Sequence, residues 1–298
     1  MRKKILVLGA SGQLGNRFMS DVENCSGTYN SVSNNLMTNL FHLDASNLEE
    51  FKKLTSAIQP NVIINCIGLT NVDECEKLPE KNWLINSKFP VEVATYCKLL
   101  NIKFIHISTD HFETKDSVII SELSTLNTPN QYSFAKLSAD KMIQELNSDS
   151  IIVRANFFQF NAGLSKTFID NMINDIAQKR AVRSFGDIYF TPVSIATLIK
   201  FILDLIEINF SGIINISSDQ SISKYEFHEI ILSSYSLDKN LHKSISISDL
   251  DLSAKRPTSM ALDNSKLKKL FGVSELSIYD MITAEKNYQE QRGFGVKR

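Results

Sequence analysis

Tyr132 and Lys136 lie four positions apart in Tyr132-Ser133-Phe134-Ala135-Lys136, a spacing that puts both on one face of a helix. An ammonium so placed stabilises a tyrosinate and draws the phenol down from its ordinary value near 10. Such a phenol gives a proton to a forming alkoxide or takes one from an alcohol. Upstream, an apolar run from Lys103 ends in Ser108-Thr109-Asp110, where a hydroxyl can hydrogen-bond a substrate carbonyl. A third element opens the chain: Gly9-Ala10-Ser11-Gly12-Gln13-Leu14-Gly15 directly follows the apolar run Lys4 to Leu8. Glycines allow a sharp turn and close approach to a pyrophosphate, and the helix that follows offers free N–H groups and the positive end of its dipole. The Gly-x-x-Gly-x-x-Gly spacing alone also describes any tight strand-to-helix turn. Its place between a strand and a helix points to dinucleotide binding.

The acid that commonly holds a cofactor ribose about 20 residues later is not evident. Ser33, Asn34 and Asn35 occupy the expected end of the second strand. Asp44, after His42-Leu43, either borders the adenine or caps the helix beginning at Leu48. No arginine marks a 2′-phosphate pocket, so NADPH and NADH both stay open.

The elements that must position these groups alternate. Lys4–Gly9, Asn61–Cys66, Lys103–Ser108 and Ser150–Arg154 read as buried strands. Gly15–Glu23, Leu48–Ile58, Pro79–Asn86, Pro90–Leu100 and Tyr132–Leu146 read as helices. Unbroken apolar strands alternating with helices predict an α/β fold, a doubly wound parallel (Rossmann) sheet covered on both faces. A further strand is expected near the polar stretch Asn30–Asn39. Beyond Phe157 the pattern loosens into loops and helices. The expected organisation is a cofactor-binding domain over residues 1–157 and, over 158–298, a smaller lobe that mainly binds substrate and sends segments back to the sheet.

A net charge of −1 gives no sign of a nucleic-acid or membrane surface. The N-terminal apolar run is too short for a signal peptide. No stretch approaches the roughly 18 uncharged apolar residues of a membrane span, so a cytoplasmic protein is expected. Cys25, Cys66, Cys75 and Cys97 lack metal-ligand or Cys-x-x-Cys spacing and read as free thiols, with no metal site.

The glycine loop, the strand-end hydroxyls and the Tyr-x-x-x-Lys helix, in this order, resemble the extended short-chain dehydrogenase/reductases. The resemblance implies a catalytic set of Thr109, Tyr132 and Lys136, with Tyr132 as general acid, Thr109 polarising the carbonyl, and Lys136 also holding the nicotinamide ribose. Over most of its length the chain is similar to the dTDP-4-dehydrorhamnose reductase subfamily. Asn65-Cys66-Ile67-Gly68-Leu69-Thr70-Asn71-Val72-Asp73-Glu74-Cys75-Glu76 resembles its segment along the cofactor. Asn86 matches an asparagine of the next helix, and Arg256-Pro257-Thr258-Ser259-Met260-Ala261-Leu262-Asp263 its late Arg-Pro segment. This implies cofactor contacts from Gly9, Ser11, Gly12, Gln13, Leu14, Gly15, Asp44, Cys66, Ile67, Gly68, Ser108, Tyr132 and Lys136. It places Thr70, Val72, Asp110, His111, Phe157 and Arg256 on the substrate side. For Arg256, a diphosphate contact and an ordinary ion pair are both open.

His111, Ala155 and Phe157 depart from the subfamily near the sugar. His111 is open to an acid/base role or to simple packing. The reaction implied is reduction of a keto group, at C4, of a nucleotide-linked deoxysugar, and the resemblance suggests a homodimer. A nucleotide-sugar epimerase or dehydratase on the same fold is one alternative. A non-catalytic relative of the methionine adenosyltransferase regulatory subunit is another.

Overall fold

The computed structural model describes residues 3–30, 39–115, 119–160 and 167–292. Strands β1 (Ile5–Leu8), β2 (Cys25–Tyr29), β3 (Leu40–His42), β4 (Val62–Asn65) and β5 (Lys103–Ile107) join Ile151–Arg154 and Gly212–Asn215 in one parallel sheet. Its order is Gly212–Asn215, Ile151–Arg154, β5, β4, β1, β2, β3. β1, β4 and Ile151–Arg154 are buried along their whole length, as a sheet covered on both faces requires.

The helices are α1 (Gln13–Asp21), α2 (Leu48–Ile58), α3 (Val72–Lys77), α4 (Pro79–Trp83), α5 (Phe89–Leu99), α6 (Gln131–Leu146), α7 (Phe168–Ala177), α8 (Ile195–Glu207), α9 (Lys224–Ser234), α10 (Ser265–Phe271) and α11 (Ile278–Gln291). The two helices expected at Pro79–Asn86 and Pro90–Leu100 run on without a break. A π-helical turn, Leu84–Lys88, joins α4 to α5, and Pro90 falls in the first turn of α5, where its missing N–H costs nothing. The strand expected near Asn30–Asn39 lies earlier, at Cys25–Tyr29, with β3 following at Leu40. Ser33, Asn34 and Asn35 lie outside the described residues. Asp44 does not cap α2. Asn47 does so, accepting a hydrogen bond from Glu50 N at 3.1 Å.

Past residue 157 the chain returns to the sheet through Gly212–Asn215, which pairs with Ile151–Arg154. A smaller sheet threads Ile222–Ser223, Tyr189–Phe190, Ser259–Leu262 and Ile119–Ile120. One apolar core runs from β1 and β4 through α8 to α9 and α11. No described helix is long and apolar enough to cross a membrane.

Arg17, one turn beyond the glycine loop, ties α1 to α11. Its guanidinium pairs with Asp21, lies 3.2 Å from Glu285 and stacks 3.3 Å from the Tyr288 ring centroid. Glu285 also accepts from Ala196 N at the start of α8. Both Arg17 and Glu285 are buried, and removing one partner of such a pair strands a charge. Arg17→Met is expected to lower stability by about 3–5 kcal/mol, read as the shift in urea midpoint at neutral pH. Burial holds the Glu285 carboxyl above its usual range. The stranded charge therefore disappears on acidification, and the loss should shrink as pH falls.

Candidate active site

The loops that follow β1, β4, β5 and Ile151–Arg154 all leave the carboxyl edge of the sheet, where open α/β folds bind ligands. A cavity of about 370 Å³ opens there. After β4 come Cys66, Ile67, Gly68, Thr70 and Val72; after β5, Ser108, Thr109, Asp110 and His111. Tyr132 and Lys136 reach it from α6, Asn156 and Phe157 from the sixth strand's exit, and Lys224 and Arg256 from the chain beyond.

The α6 helix is fixed by a capping box. The Asn130 side chain accepts from Ser133 N at 2.9 Å and Ser133 Oγ returns to the Asn130 backbone. That start sets Tyr132 in the first turn and Lys136 one turn on, both buried. The Tyr132 hydroxyl lies beside Thr109, whose hydroxyl acts to lower it. Lys136 Nζ lies 2.7 Å from Ile107 O and 3.0 Å from His106 Nε2. His106 Nδ1 in turn lies 3.2 Å from Asn65 Nδ2. Ser108 turns its hydroxyl to Asp140 at 3.0 Å, a carboxylate also held by Arg154. Thr109 is thus the strand-end hydroxyl on the Tyr132 side.

The phenol is not drawn down in this state, contrary to the sequence-based expectation. Burial pushes Tyr132 up, more than the Thr109 hydroxyl lowers it, and Lys136 is engaged by His106 and Ile107. Burial also takes Lys136 down to about 8, against the charges of Asp140 and Cys66. Asp110 rises to about 6 because it is buried, although Asn156 Nδ2 donates to it at 2.9 Å. His111 is packed: its ring stands edge-on to Tyr132 at 5.7 Å, and burial lowers it to about 3. Its Nδ1 is buried and without a hydrogen-bond partner among the described residues.

Asn86 clamps the loop after β4 at both backbone groups of one residue, accepting from Leu69 N at 3.1 Å and donating to Leu69 O at 2.9 Å. Arg256 is in an ion pair with Asp73 at 2.6 Å, while Asp73 also accepts from Ala254 N. It fastens the late Arg-Pro segment onto the start of α3 and still forms part of the cavity wall.

The glycine loop forms a cradle beside β1. Gly9 has φ +84, a conformation side chains rarely adopt. Gly9 N donates to Thr28 Oγ1 at 3.0 Å and Ala10 N to Thr28 O at 2.7 Å. Ser11 and Gly12 are exposed, Gln13 half-buried, Leu14 and Gly15 buried. The cap of α1, Gly12, supplies no side-chain acceptor to the first-turn amides. Those amides suit a pyrophosphate, so the residues present fit a dinucleotide. Asp44 follows β3, its carboxylate held low chiefly by the hydrogen bond from Ser46 N at 2.8 Å.

His106, Asn156 and Lys224 were not singled out from the sequence. His106 is a polar residue inside a buried apolar strand, a signal available to a closer reading. Lys224 opens α9 behind the Ser223/Glu226 capping box, equally visible as a motif. Asn156 carries no sequence signal. Among the described residues no group of three His, Cys, Asp or Glu side chains is placed to hold a metal.

The sheet order and the convergence of Thr109, Tyr132 and Lys136 at its carboxyl edge define an extended short-chain dehydrogenase/reductase fold. More narrowly, the chain belongs to the family described as RmlD substrate binding domain, whose model matches residues 2–283. The chain is 26% identical to the probable low-salt glycan biosynthesis reductase Agl14 of Haloferax volcanii, over 93% of this chain and 95% of that protein. Identity is also 26% to the dTDP-4-dehydrorhamnose reductase of Aggregatibacter actinomycetemcomitans, covering 91% and 94%. The crystal structure of the Bacillus anthracis dTDP-4-dehydrorhamnose reductase in complex with NADP superposes with a TM-score of 0.82 at 22% identity, covering 98% of this chain and 100% of that one.

Proposed function

We propose that the protein is an NAD(P)H-dependent reductase of a keto group, at C4, of a nucleotide-linked deoxysugar. The observation that carries this reading is the meeting of Thr109, Tyr132 and Lys136 in one cavity that shares a wall with a second. Asn156, Phe157 and Lys224 belong to both, and the second cavity, of about 470 Å³, is lined by Phe158, Phe168, Phe185, Phe190 and Phe227 together with Arg183. The sugar fits the first cavity, and the nucleotide the second.

In this reading the glycine loop, Asp44 and Cys66–Gly68 hold the cofactor, which supplies the hydride when bound. Thr109 donates to the substrate carbonyl and Tyr132 protonates its oxygen as charge develops there. Lys136, once charged and turned from His106 towards Tyr132, favours the loss of the phenolic proton. Thr70, Val72, Asp110, His111, Phe157 and Arg256 shape the sugar side, with the unpartnered His111 Nδ1 placed among them. The intact proton-transfer set favours an enzyme over a regulatory subunit. A dehydratase needs a second acid beside Asp110, and that position holds His111 packed on Tyr132.

The test is NADPH and NADH oxidation with a panel of nucleotide-linked 4-keto-6-deoxysugars, with and without a 3,5-epimerase. Oxidation with one member identifies sugar and coenzyme together. No oxidation by cofactor-loaded protein overturns the reading.

Its pH profile follows from the two titrating groups. The free enzyme's groups govern kcat/KM. Lys136 is charged below about 8, so kcat/KM for reduction should fall as pH rises through that value. Asp110 carries charge above about 6, so an acid limb should appear near there, and should vanish in Asp110→Asn.

A further inference from the structure

Lys136 Nζ ends a buried row of three side chains. Ile67 N donates to Asn65 Oδ1 at 3.2 Å, Asn65 Nδ2 lies 3.2 Å from His106 Nδ1, and His106 Nε2 lies 3.0 Å from Lys136 Nζ. Asn65 and His106 are neighbours in the register of β4 and β5, and the Phe104 ring stacks on the His106 ring with centroids 6.3 Å apart. Asn65, His106 and Lys136 are all buried, so each must satisfy its hydrogen bonds inside the protein.

The direction of each bond follows from the backbone. Ile67 N–H can only donate, so the amide oxygen of Asn65 faces it and the amide NH2 faces His106. His106 Nδ1 is therefore an acceptor. Burial takes the His106 ring well below its usual value, and a charged Lys136 lowers it further, so the ring is neutral in either state of the lysine. Its one hydrogen then sits on Nε2 and points at Lys136 Nζ. A neutral amine accepts that hydrogen with its lone pair and donates to Ile107 O at 2.7 Å. An ammonium has no lone pair. Charged in place, Lys136 faces a donor. Turning the tautomer over sets His106 against Asn65, and turning the amide over sets Asn65 against Ile67 N. Each alternative leaves one buried hydrogen bond unmade. Nor can His106 act as a proton relay, because the amide on its far side neither gives nor takes a proton.

We propose that His106, its tautomer fixed by Asn65, is a positioning residue that holds Lys136 as the neutral amine and releases it towards Tyr132 once it is charged. Charge and position of the lysine are thereby linked: the ammonium goes to the phenol, and the amine is kept away from it. The other groups that act on Lys136 are Asp140, one turn further along α6, and Cys66 after β4, which raise it against burial. Asp140 is itself paired with Arg154, and Tyr132 stands one turn before Lys136 on α6. None of these supplies the hydrogen that Lys136 Nζ receives at His106. This inference rests on the assignment of Lys136 to the protonation step.

The first test is long-range proton–nitrogen NMR on the cofactor-free full chain, with the His106 signals identified by their loss in His106→Phe. The ring should carry its hydrogen on Nε2 alone, and its shifts should move with a midpoint at about pH 8, as Lys136 charges and leaves. A hydrogen on Nδ1, alone or with one on Nε2, overturns the inference and, since no substrate is present, leaves the reductase reading in place. The second test is Asn65→Asp. Its carboxylate only accepts, so it keeps the bond from Ile67 N, moves the His106 hydrogen to Nδ1 and leaves Nε2 to hold the ammonium. The alkaline limb of kcat/KM should rise by about one pH unit or more. At neutral pH kcat should fall by about tenfold or more, although more of the lysine is charged. In the His106→Phe background the same change should alter kcat by less than about threefold. A raised limb with undiminished kcat shows that Lys136 acts through its charge wherever it sits, and overturns the release role. An equal loss of kcat from Asn65→Asp with and without the imidazole overturns it as well.

Discussion

Tyr132→Phe should lower kcat by about a thousandfold or more while leaving NADPH affinity within about threefold of wild type. The substitution removes one oxygen and keeps the ring. The edge-on contact with His111 at 5.7 Å and the packing against Val72 and Cys75 are retained, so little structural loss accompanies the chemical one. The hydroxyl is buried beside Thr109, and Thr109 Oγ1 keeps the hydrogen bond it accepts from His111 N at 3.2 Å. Burial pushes the phenol up, which makes it a weak proton donor by itself. It becomes a proton donor matched to an alkoxide when a neighbouring cation lowers it. Lys136→Met should therefore mimic the loss of rate and also weaken cofactor binding, since the same amine is assigned to the ribose. Steady-state oxidation of NADPH with a competent sugar, alongside fluorescence titration of the cofactor, separates the two. A Tyr132→Phe enzyme that retains near-wild-type turnover removes Tyr132 from the mechanism.

Much of the fold was legible because its central strands are buried on both faces, and that burial writes itself as unbroken apolar runs. Ile5–Leu8 carries this signature in full, and Val62–Asn65 and Ile151–Arg154 carry it up to their last residue. β2 does not: Cys25-Ser26-Gly27-Thr28-Tyr29 mixes polar and small residues because it serves the glycine loop, with Thr28 accepting from Gly9 N. Hydropathy therefore placed that strand too late. Pro79 and Pro90 suggested two separated helices, but a proline in a first turn is compatible with the helix that enters it, and the π turn absorbs the junction. The catalytic set was legible because its members follow one another at local spacings on one strand end and one helix. The second cavity was not: Ser184, His228, His242 and Glu229 come from three elements and meet across separations of 44 and 58 residues. No periodicity in the chain records that meeting. The same holds for the Arg256–Asp73 pair, whose partners lie 183 residues apart. The structure adds the ion-pair partner, Asp73, and keeps Arg256 on the cavity wall.

Gly15→Ala should cost both cofactor and stability. A Cβ at position 15 would overlap the Gly9 carbonyl oxygen and stand 2.9 Å from Ala10 Cα and Gly9 C. These are backbone atoms of the turn itself, so no side chain can rotate away. The turn is fixed from the other side: Gly9 φ is +84 and its N–H is held by Thr28. Helix α1 must then move away from the β1 exit, against the Arg17–Glu285–Tyr288 clamp that anchors it to α11. Overpacking of this kind costs about 3 kcal/mol, which for a chain of this size corresponds to a fall in Tm of roughly 6–12 °C. Displaced first-turn amides no longer converge on a pyrophosphate, and NADPH affinity should drop by about a hundredfold, near 2.7 kcal/mol. Gly12→Ala separates the two effects. Its Cβ meets only Gly9 O, at 3.4 Å, so the fold should melt as wild type does. The added methyl sits at the cap where the phosphates would approach, so cofactor affinity should fall alone. Equal cofactor affinity in Gly15→Ala and the wild type would mean that the dinucleotide is not held at this loop, and would return the Gly-x-x-Gly-x-x-Gly segment to the status of a tight turn.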